Sequence, residues 1–244
     1  MKLTLAEPKL LKDSISIISD LVTETEFLVT KEKFELIAMD PANVSMVIFR
    51  MNSNLFAEYD VPEDTKIAIN LANFKQVLRR TKSSDVLTLE KDKNKLKIVM
   101  KGKNRRSFSL PLINLEEREQ KIPDLDAKTK IQMPSSVFND AVEDVDIIGE
   151  SVLLISSKDK LTVSAKGDLT KAEVFLQKDE DINITTDGEQ KGKYSIEYLK
   201  RMIAASKLAD QVSLSFSTDY PLTLEYKEED IELSFILAPR VDNT

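Results

Sequence analysis

The sequence predicts an α+β fold in which one module of helices and antiparallel strands is written twice, and three observations carry that reading. The first is an internal repeat. Residues 70–89 (NLANFKQVLRRTKSSDVLTL) and 195–214 (SIEYLKRMIAASKLADQVSL) correspond at a constant offset of 125: Phe74 meets Leu199, Lys75 meets Lys200, Asp85 meets Asp210, and Leu87 and Leu89 meet Val212 and Leu214. The N-terminal parts correspond at an offset of 127, with Thr30–Leu36 (TKEKFEL) against Ser157–Val163 (SKDKLTV), and a near-fixed offset along a whole chain marks a duplication. The second is four apolar stripes at helical spacing: Leu11, Ile15 and Ile18; Phe74, Val77 and Leu78; Phe138, Val142 and Val145; Leu199, Met202 and Ile203. The third is a set of short runs with apolar residues at alternate positions, the period of half-buried antiparallel strands.

Taken in order, each copy reads helix, strands, helix, strands. The strands of the first copy are expected at 27–29, 34–38, 45–49, 55–59, 86–90, 96–100 and 107–110, and those of the second at 152–156, 161–165, 172–176, 212–216, 222–226 and 231–236. With gaps allowed for, that is two helices and roughly eight strands per copy. The second helix is expected to run from Asn70 to Lys82. The expected division is a first domain at 1–113, a charged connector at 114–129 that carries Pro123 and no periodicity, and a second domain at 130–244.

Composition removes most chemistry. Among 244 residues there is no His and no Cys, so disulfides, thiolate zinc sites, thiol nucleophiles and any Ser-His-Asp triad are excluded. The five glycines form neither a P-loop nor a G-x-G-x-x-G turn. The apolar runs are shorter than the ~18 residues of a membrane span, and MKLTLAEPKL lacks a signal-peptide core. The expectation is therefore an intracellular protein that does not engage a membrane and needs no cofactor, with carboxylates on Mg²⁺ as the one enzymatic route left open.

The polar helix faces point to a partner instead. The chain carries 35 Lys and Arg against 42 Asp and Glu, a net charge of −7. Yet the first helix presents Lys9 and Lys12, the second Lys75, Arg79, Arg80 and Lys82, and the fourth Lys200, Arg201 and Lys207. Cations concentrated on one class of element in an acidic chain are an electrostatic footprint for a polyanion. The third helix is the exception, with Asp140, Glu143 and Asp144 on its polar face. Asp140 and Asp144 stand at i, i+4, placed for cations from elsewhere, whether Mg²⁺ or an Arg and Lys cluster of another subunit such as Arg79-Arg80-Lys82 or Arg105-Arg106, and pairing between subunits is the preferred reading.

The segment AMDPANVSMVIF (38–49), the ending LSFILAPRVD (233–242), the helix NLANFKQVLRR and the run QMPS at the head of the third helix closely resemble the sliding clamps called proliferating cell nuclear antigen, and most closely the archaeal ones. The resemblance covers essentially the whole chain and implies two processivity-clamp domains per subunit and a ring of three subunits around duplex DNA. It implies no catalytic role and no cofactor or metal. Sequence-independent phosphate contacts then fall to the cations of the first, second and fourth helices.

The resemblance also implies a subunit joint made of the edge strands near Ser107–Leu112 and Ala172–Gln177, with Phe108, Leu110, Val174 and Leu176 in it beside the Arg80, Lys82, Arg106, Asp140 and Asp144 charges. It implies a pocket from Met39, Val44, Met46, Ile122, Pro123, Pro221, Ile236, Leu237, Ala238 and Pro239, holding short peptides of DNA polymerase, the clamp loader, flap nuclease and DNA ligase, with the tail from Pro239 to Thr244 adding a strand. The implied location is the cytoplasm, at the nucleoid, or the nucleus for a eukaryotic source. Positions such as Asp13, Gln76, Asp140, Glu143, Glu197 and Ala204 depart from the basic residues usual in relatives. The alternatives are one subunit of a heterotrimeric or checkpoint clamp, and a Mg²⁺-dependent nuclease using Asp140, Glu143 and Asp144.

Overall fold

The structure is a computed structural model that describes residues 1–115 and 120–240. The first repeat runs β1 (Lys2–Leu5), α1 (Lys9–Ile18), β2 (Glu24–Val29), β3 (Lys33–Met39), β4 (Ser45–Asn52), β5 (Glu58–Asp60), β6 (Thr65–Asn70), α2 (Leu71–Leu78), β7 (Val86–Asp92), β8 (Lys95–Lys101) and β9 (Arg105–Pro111). The second follows the same order: β10 (Thr129–Pro134), α3 (Ser135–Asp146), β11 (Ser151–Ser157), β12 (Lys160–Lys166), β13 (Lys171–Gln177), β14 (Asn183–Thr186), β15 (Gln190–Ser195), α4 (Ile196–Ile203), β16 (Gln211–Phe216), β17 (Leu222–Glu228) and β18 (Ile231–Leu237). Among the described residues each copy therefore has nine strands and two helices.

The strands missing from the sequence reading are β1, β6, β10, β14 and β15. Three of them, β1, β10 and β14, have only one or two apolar residues in alternation, too few to stand out. β6 and β15 run directly into α2 and α4 without a break. The expected strand at 55–59 is instead a 3₁₀ turn at Ser53–Leu55 followed by the short β5.

The chain divides into two compact units. One holds residues 1–41, 47–121 and 228–233, the other 42–46, 122–227 and the chain from Ser234 on. In the first unit β5-β1-β7-β8-β9 form an antiparallel sheet and β4-β3-β2-β6 neighbour one another in that order. The second repeats the pattern with β14-β10-β16-β17-β18 and β13-β12-β11-β15. A duplicated sequence has built a duplicated topology.

The core explains the helix stripes. In the first unit Phe27 of β2 stacks on Phe34 of β3 at 4.6 Å between ring centroids, and Phe74 of α2 meets the Phe27 ring edge-on at 6.4 Å. Leu11, Ile15 and Ile18 of α1 are fully buried beside them, and α1 packs on α2. In the second unit Phe138, Val142 and Val145 of α3 and Leu199 and Met202 of α4 are fully buried, and α3 packs on α4. Asn70 starts α2 by accepting the Asn73 amide at 3.0 Å, satisfying a donor the helix leaves open. α1 and α3 start behind Pro8 and Pro134, whose missing N–H costs nothing at a helix head.

Among the buried side-chain groups without a partner, one hydroxyl belongs to a large core ring. Tyr226 of β17 is buried against Phe235 at 6.4 Å, and its hydroxyl has no hydrogen-bond partner among the described residues. Burial raises its pKa well above the ordinary tyrosine value. Since a buried, unpaired polar group costs about 1–3 kcal/mol, Tyr226→Phe is expected to stabilise the protein by about 1 kcal/mol. Denaturant unfolding checks this, and a lower midpoint would show that the hydroxyl has an unseen partner.

Candidate nucleic-acid and partner interfaces

The helix cations divide into engaged and open groups. Lys9 pairs with Asp13 at 2.9 Å one turn along α1. Lys12 donates to the Thr81 carbonyl at 3.3 Å, and Lys75 donates to the Ser16 carbonyl at 3.0 Å and Asp20 at 2.7 Å, so both tie α1 to α2 and the turn after it. In the second unit Lys200 pairs with Asp146 at 2.6 Å, and Arg201 pairs with Glu197 and lies 5.7 Å from the Tyr198 ring centre. Arg79, Arg80, Lys82 and Lys207 are exposed and have no ion pair among the described residues. Exposed pairs contribute roughly 0–1 kcal/mol, so a phosphate could displace the carboxylates at Lys9, Lys200 and Arg201 at small cost.

α2 ends earlier than its sequence suggests, at Leu78. The chain leaves the helix through turns closed by Arg80 N–H to the Val77 carbonyl and Thr81 N–H to the Leu78 carbonyl. The buried Asp85 carboxylate accepts the Lys82 amide at 2.6 Å and the Arg106 guanidinium, while Arg106 also donates to the Arg80 carbonyl at 2.6 Å. Arg79, Arg80 and Lys82 thus sit at the end of α2 and on a turn clamped to β9, and the Arg106 side chain is held within its own unit. α4 behaves likewise: its helix closes at Ile203, and Lys207 lies on the 3₁₀ turn Ala204–Lys207.

The polar face of α3 is acidic, as read from sequence: Asp140, Glu143 and Asp144 are exposed and unpaired among the described residues. No group of three or more His, Cys, Asp or Glu gathers there or elsewhere among the described residues to hold a metal ion, so the three carboxylates have no metal geometry to support the nuclease alternative.

β9 and β13 each end a sheet with one strand neighbour, β8 and β12. On β9, Phe108 and Leu110 are half-buried. On β13, Val174 is half-buried and Leu176 faces the core, which turns Phe175 outward at 55% exposure beneath the Lys160 ammonium, 5.4 Å from the ring centre. Phe175 was missed in the sequence because three successive apolar residues hide the period of two. Ile147, at 82% exposure, and Leu169, at 99%, are further exposed apolar side chains on this unit. They lie on adjoining segments, since an ideal Cβ at Gly149 would stand 3.0 Å from the Lys166 carbonyl oxygen.

Several residues expected at the peptide site lie in the second unit. Ala238 donates to the Val44 carbonyl at 2.9 Å, and Arg240 donates to the Lys193 carbonyl at 2.7 Å and to Ser151 at 2.8 Å, so the tail is strapped between the 42–46 loop and β15. Tyr194 of β15 lies over Gly192, where any side chain would collide with its ring, and donates to the Tyr220 carbonyl beside Pro221 at 2.8 Å. Val44, Pro221, Ala238 and Pro239 are half-buried, and Ile122 and Pro123 are exposed. Met46 and Ile236 are nearly covered and Leu237 is fully buried, so these three back the surface. Met39 is half-buried on β3 of the other unit. The expected tail strand beyond Arg240 and connector residues 116–119 lie outside the described residues.

Two copies of one module, each carrying a helix pair with a charged outer face and an open sheet edge, define a duplicated clamp-type domain. Residues 1–120 match the N-terminal domain of proliferating cell nuclear antigen and residues 121–241 its C-terminal domain. The chain belongs to the proliferating cell nuclear antigen family. It is 35% identical over 234 residues to a DNA polymerase sliding clamp of Thermococcus gammatolerans, covering 94% of each chain, and 34% identical to that of Nanoarchaeum equitans, covering 99% of this chain and 100% of the relative. The crystal structure of proliferating cell nuclear antigen from Thermococcus kodakaraensis superposes with a TM-score of 0.91 at 29% identity, covering 98% of this chain and 99% of that one. No helix among the described residues is long and apolar enough to cross a membrane.

The clamp around Asp85 has a pH signature. The hydrogen bond from the Lys82 amide, helped by Arg106, holds the Asp85 pKa below its usual 3.8. A depressed folded-state pKa contributes stability that is complete above the unfolded value and is lost as pH falls through the folded one. The wild-type unfolding midpoint is therefore expected to drop below about pH 4, whereas Asp85→Asn starts lower at pH 7 and loses less on acidification. Identical acid dependence of the two proteins in urea titrations would refute this role.

Proposed function

We propose that three copies of this chain close into a ring around duplex DNA and act as a DNA polymerase sliding clamp. The observation that carries this reading is an acidic chain, similar from end to end to DNA polymerase sliding clamps, whose open cations Arg79, Arg80 and Lys82 cluster at the end of a core-packed helix. Three copies at −7 each carry −21, which repels DNA at long range, so retention must come from encirclement and only the inner wall needs to be positive. Phosphate contacts carry no sequence information and exchange readily, which permits sliding. The chain supplies tethering and no bond-making chemistry of its own.

Assembly uses the open edges. A strand edge with unpaired backbone groups is a template for another strand, and β9 of one copy meeting β13 of the next would also cover Phe175. A heterologous joint of this kind closes into a ring when its rotation permits. The unpaired Asp140 and Asp144 of one copy then face Arg80 and Lys82 of the next, guiding orientation more than adding affinity. Polymerase, clamp loader, flap nuclease and ligase dock by short peptides on the second unit's surface around Val44, Ile122, Ala238 and Pro239, where the tail is already strapped in place.

Arg79→Ala/Arg80→Ala/Lys82→Ala removes three cations and, at protein concentrations where its sedimentation boundary matches the wild type, is expected to cut polymerase stimulation on long templates by about tenfold or more; full stimulation by this variant would overturn the assignment of the DNA-facing surface. The wild type alone is expected to sediment at about three times 27.6 kDa. Asp140→Lys/Asp144→Lys is expected to shift that boundary towards monomer at low salt, and an unaltered boundary would remove the ion pairs from the joint.

A further inference from the structure

The turn after α2 does not carry its charge alone. It is locked to the hairpin between β8 and β9, which presents Lys101, Lys103 and Arg105, all exposed and all without an ion pair among the described residues. Two features hold the segments together. The Asp85 carboxylate bridges the Lys82 amide and the Arg106 guanidinium. It also occupies the space where Gly102 would carry a Cβ, so the hairpin tip lies directly against Asp85. A side chain at residue 102 would force tip and turn apart. The buried Asp85 carboxylate is engaged in this joint by the Lys82 amide and Arg106, and forms no ion pair with Lys101, Lys103 or Arg105.

The hairpin is electrostatically unfavourable as it stands. Lys101 pairs across the strands with Arg105, and Met100 with Arg106, so two cations face each other directly on neighbouring strands. Like charges directly opposite destabilise a sheet. Elsewhere on this sheet Lys2 pairs with Glu58 at 2.8 Å and Lys97 with Glu90 at 2.9 Å. At the hairpin no carboxylate pairs with Lys101, Lys103 or Arg105 among the described residues.

We propose that the β8–β9 hairpin is a second phosphate-backbone contact for duplex DNA, in which Lys101, Lys103 and Arg105 extend the cationic surface of Arg79, Arg80 and Lys82 beyond the helices. This deepens the sliding-clamp reading and rests on it. A nucleic-acid backbone suits the patch better than a protein face does. Open cations follow one another along two clamped segments, and a polymer with regularly spaced negative charges can neutralise them together. The mutual repulsion of Lys101 and Arg105 is relieved once counter-charge arrives, so the contact strengthens binding while weakening the free protein.

The test uses the full chain and a fluorescent linear duplex, with binding followed by anisotropy as salt is raised. Each phosphate contact contributes a slope of about −0.9 to the dependence of log K on log salt. Lys101→Ala/Lys103→Ala/Arg105→Ala is expected to flatten the slope by about 2–3, to keep the wild-type sedimentation boundary, and to unfold at an equal or higher denaturant midpoint. A slope unchanged from wild type, while Arg79→Ala/Arg80→Ala/Lys82→Ala flattens it, overturns the hairpin contact and leaves the clamp reading intact. A variant that sediments as monomer overturns it by assigning the hairpin to subunit assembly. A wild-type chain that shows no salt-dependent duplex binding removes the hairpin contact, whereas a wild-type chain that fails to stimulate polymerase on long templates removes the clamp reading beneath it.

Discussion

One constraint governs the molecule: each repeat must bury the apolar stripes of two helices against its strands. Phe27, Phe34 and Phe74 meet that need in the first unit, and Phe138, Val142 and Leu199 in the second. Once those faces are committed inward, the opposite faces of all four helices are left to water. Their residues are free of packing duty, and there the two copies have diverged. The first copy placed open cations at the end of α2, and the second placed carboxylates on α3. The same core thus carries two surfaces of opposite sign.

That divergence matters because the rest of the surface is acidic. Exposed ion pairs such as Lys9–Asp13 and Lys200–Asp146 are weak and exchangeable. Charges with no partner act at longer range and dominate encounter with a polyanion. The buried joint of Asp85, Arg106 and the Arg80 and Lys82 backbone differs in kind. It orders the turn that carries the open cations, so those cations meet a ligand with little entropy left to lose.

Another ionic joint shows how the scaffold treats charge it needs only for structure. Burial alone would raise the pKa of Glu35, but hydrogen bonds from Lys33 at 2.7 Å and from Arg50 outweigh it, and the net shift is downward. Arg50 reaches Glu232 as well, at 3.3 Å. Every charge in this group has a partner. The hairpin and the α3 face, by contrast, each gather several exposed charges of one sign with no ion pair among the described residues.

The repeat, the four stripes, the main strands and the sign of each helix face were all legible in the chain, because periodicity and charge are local properties. Loss of His and Cys likewise narrowed the chemistry before any fold was known. Short strands such as β1 and β14 were not legible, since pairing with distant neighbours makes them strands. Nor was the joint behind α2, in which Asp85 meets Arg106 across 21 residues. Which cations are open and which engaged, the outward turn of Phe175, and the clamping of the β8–β9 hairpin to the α2 turn all follow from contacts between segments far apart in sequence. Composition can count charges, but only tertiary structure decides which of them already have a partner.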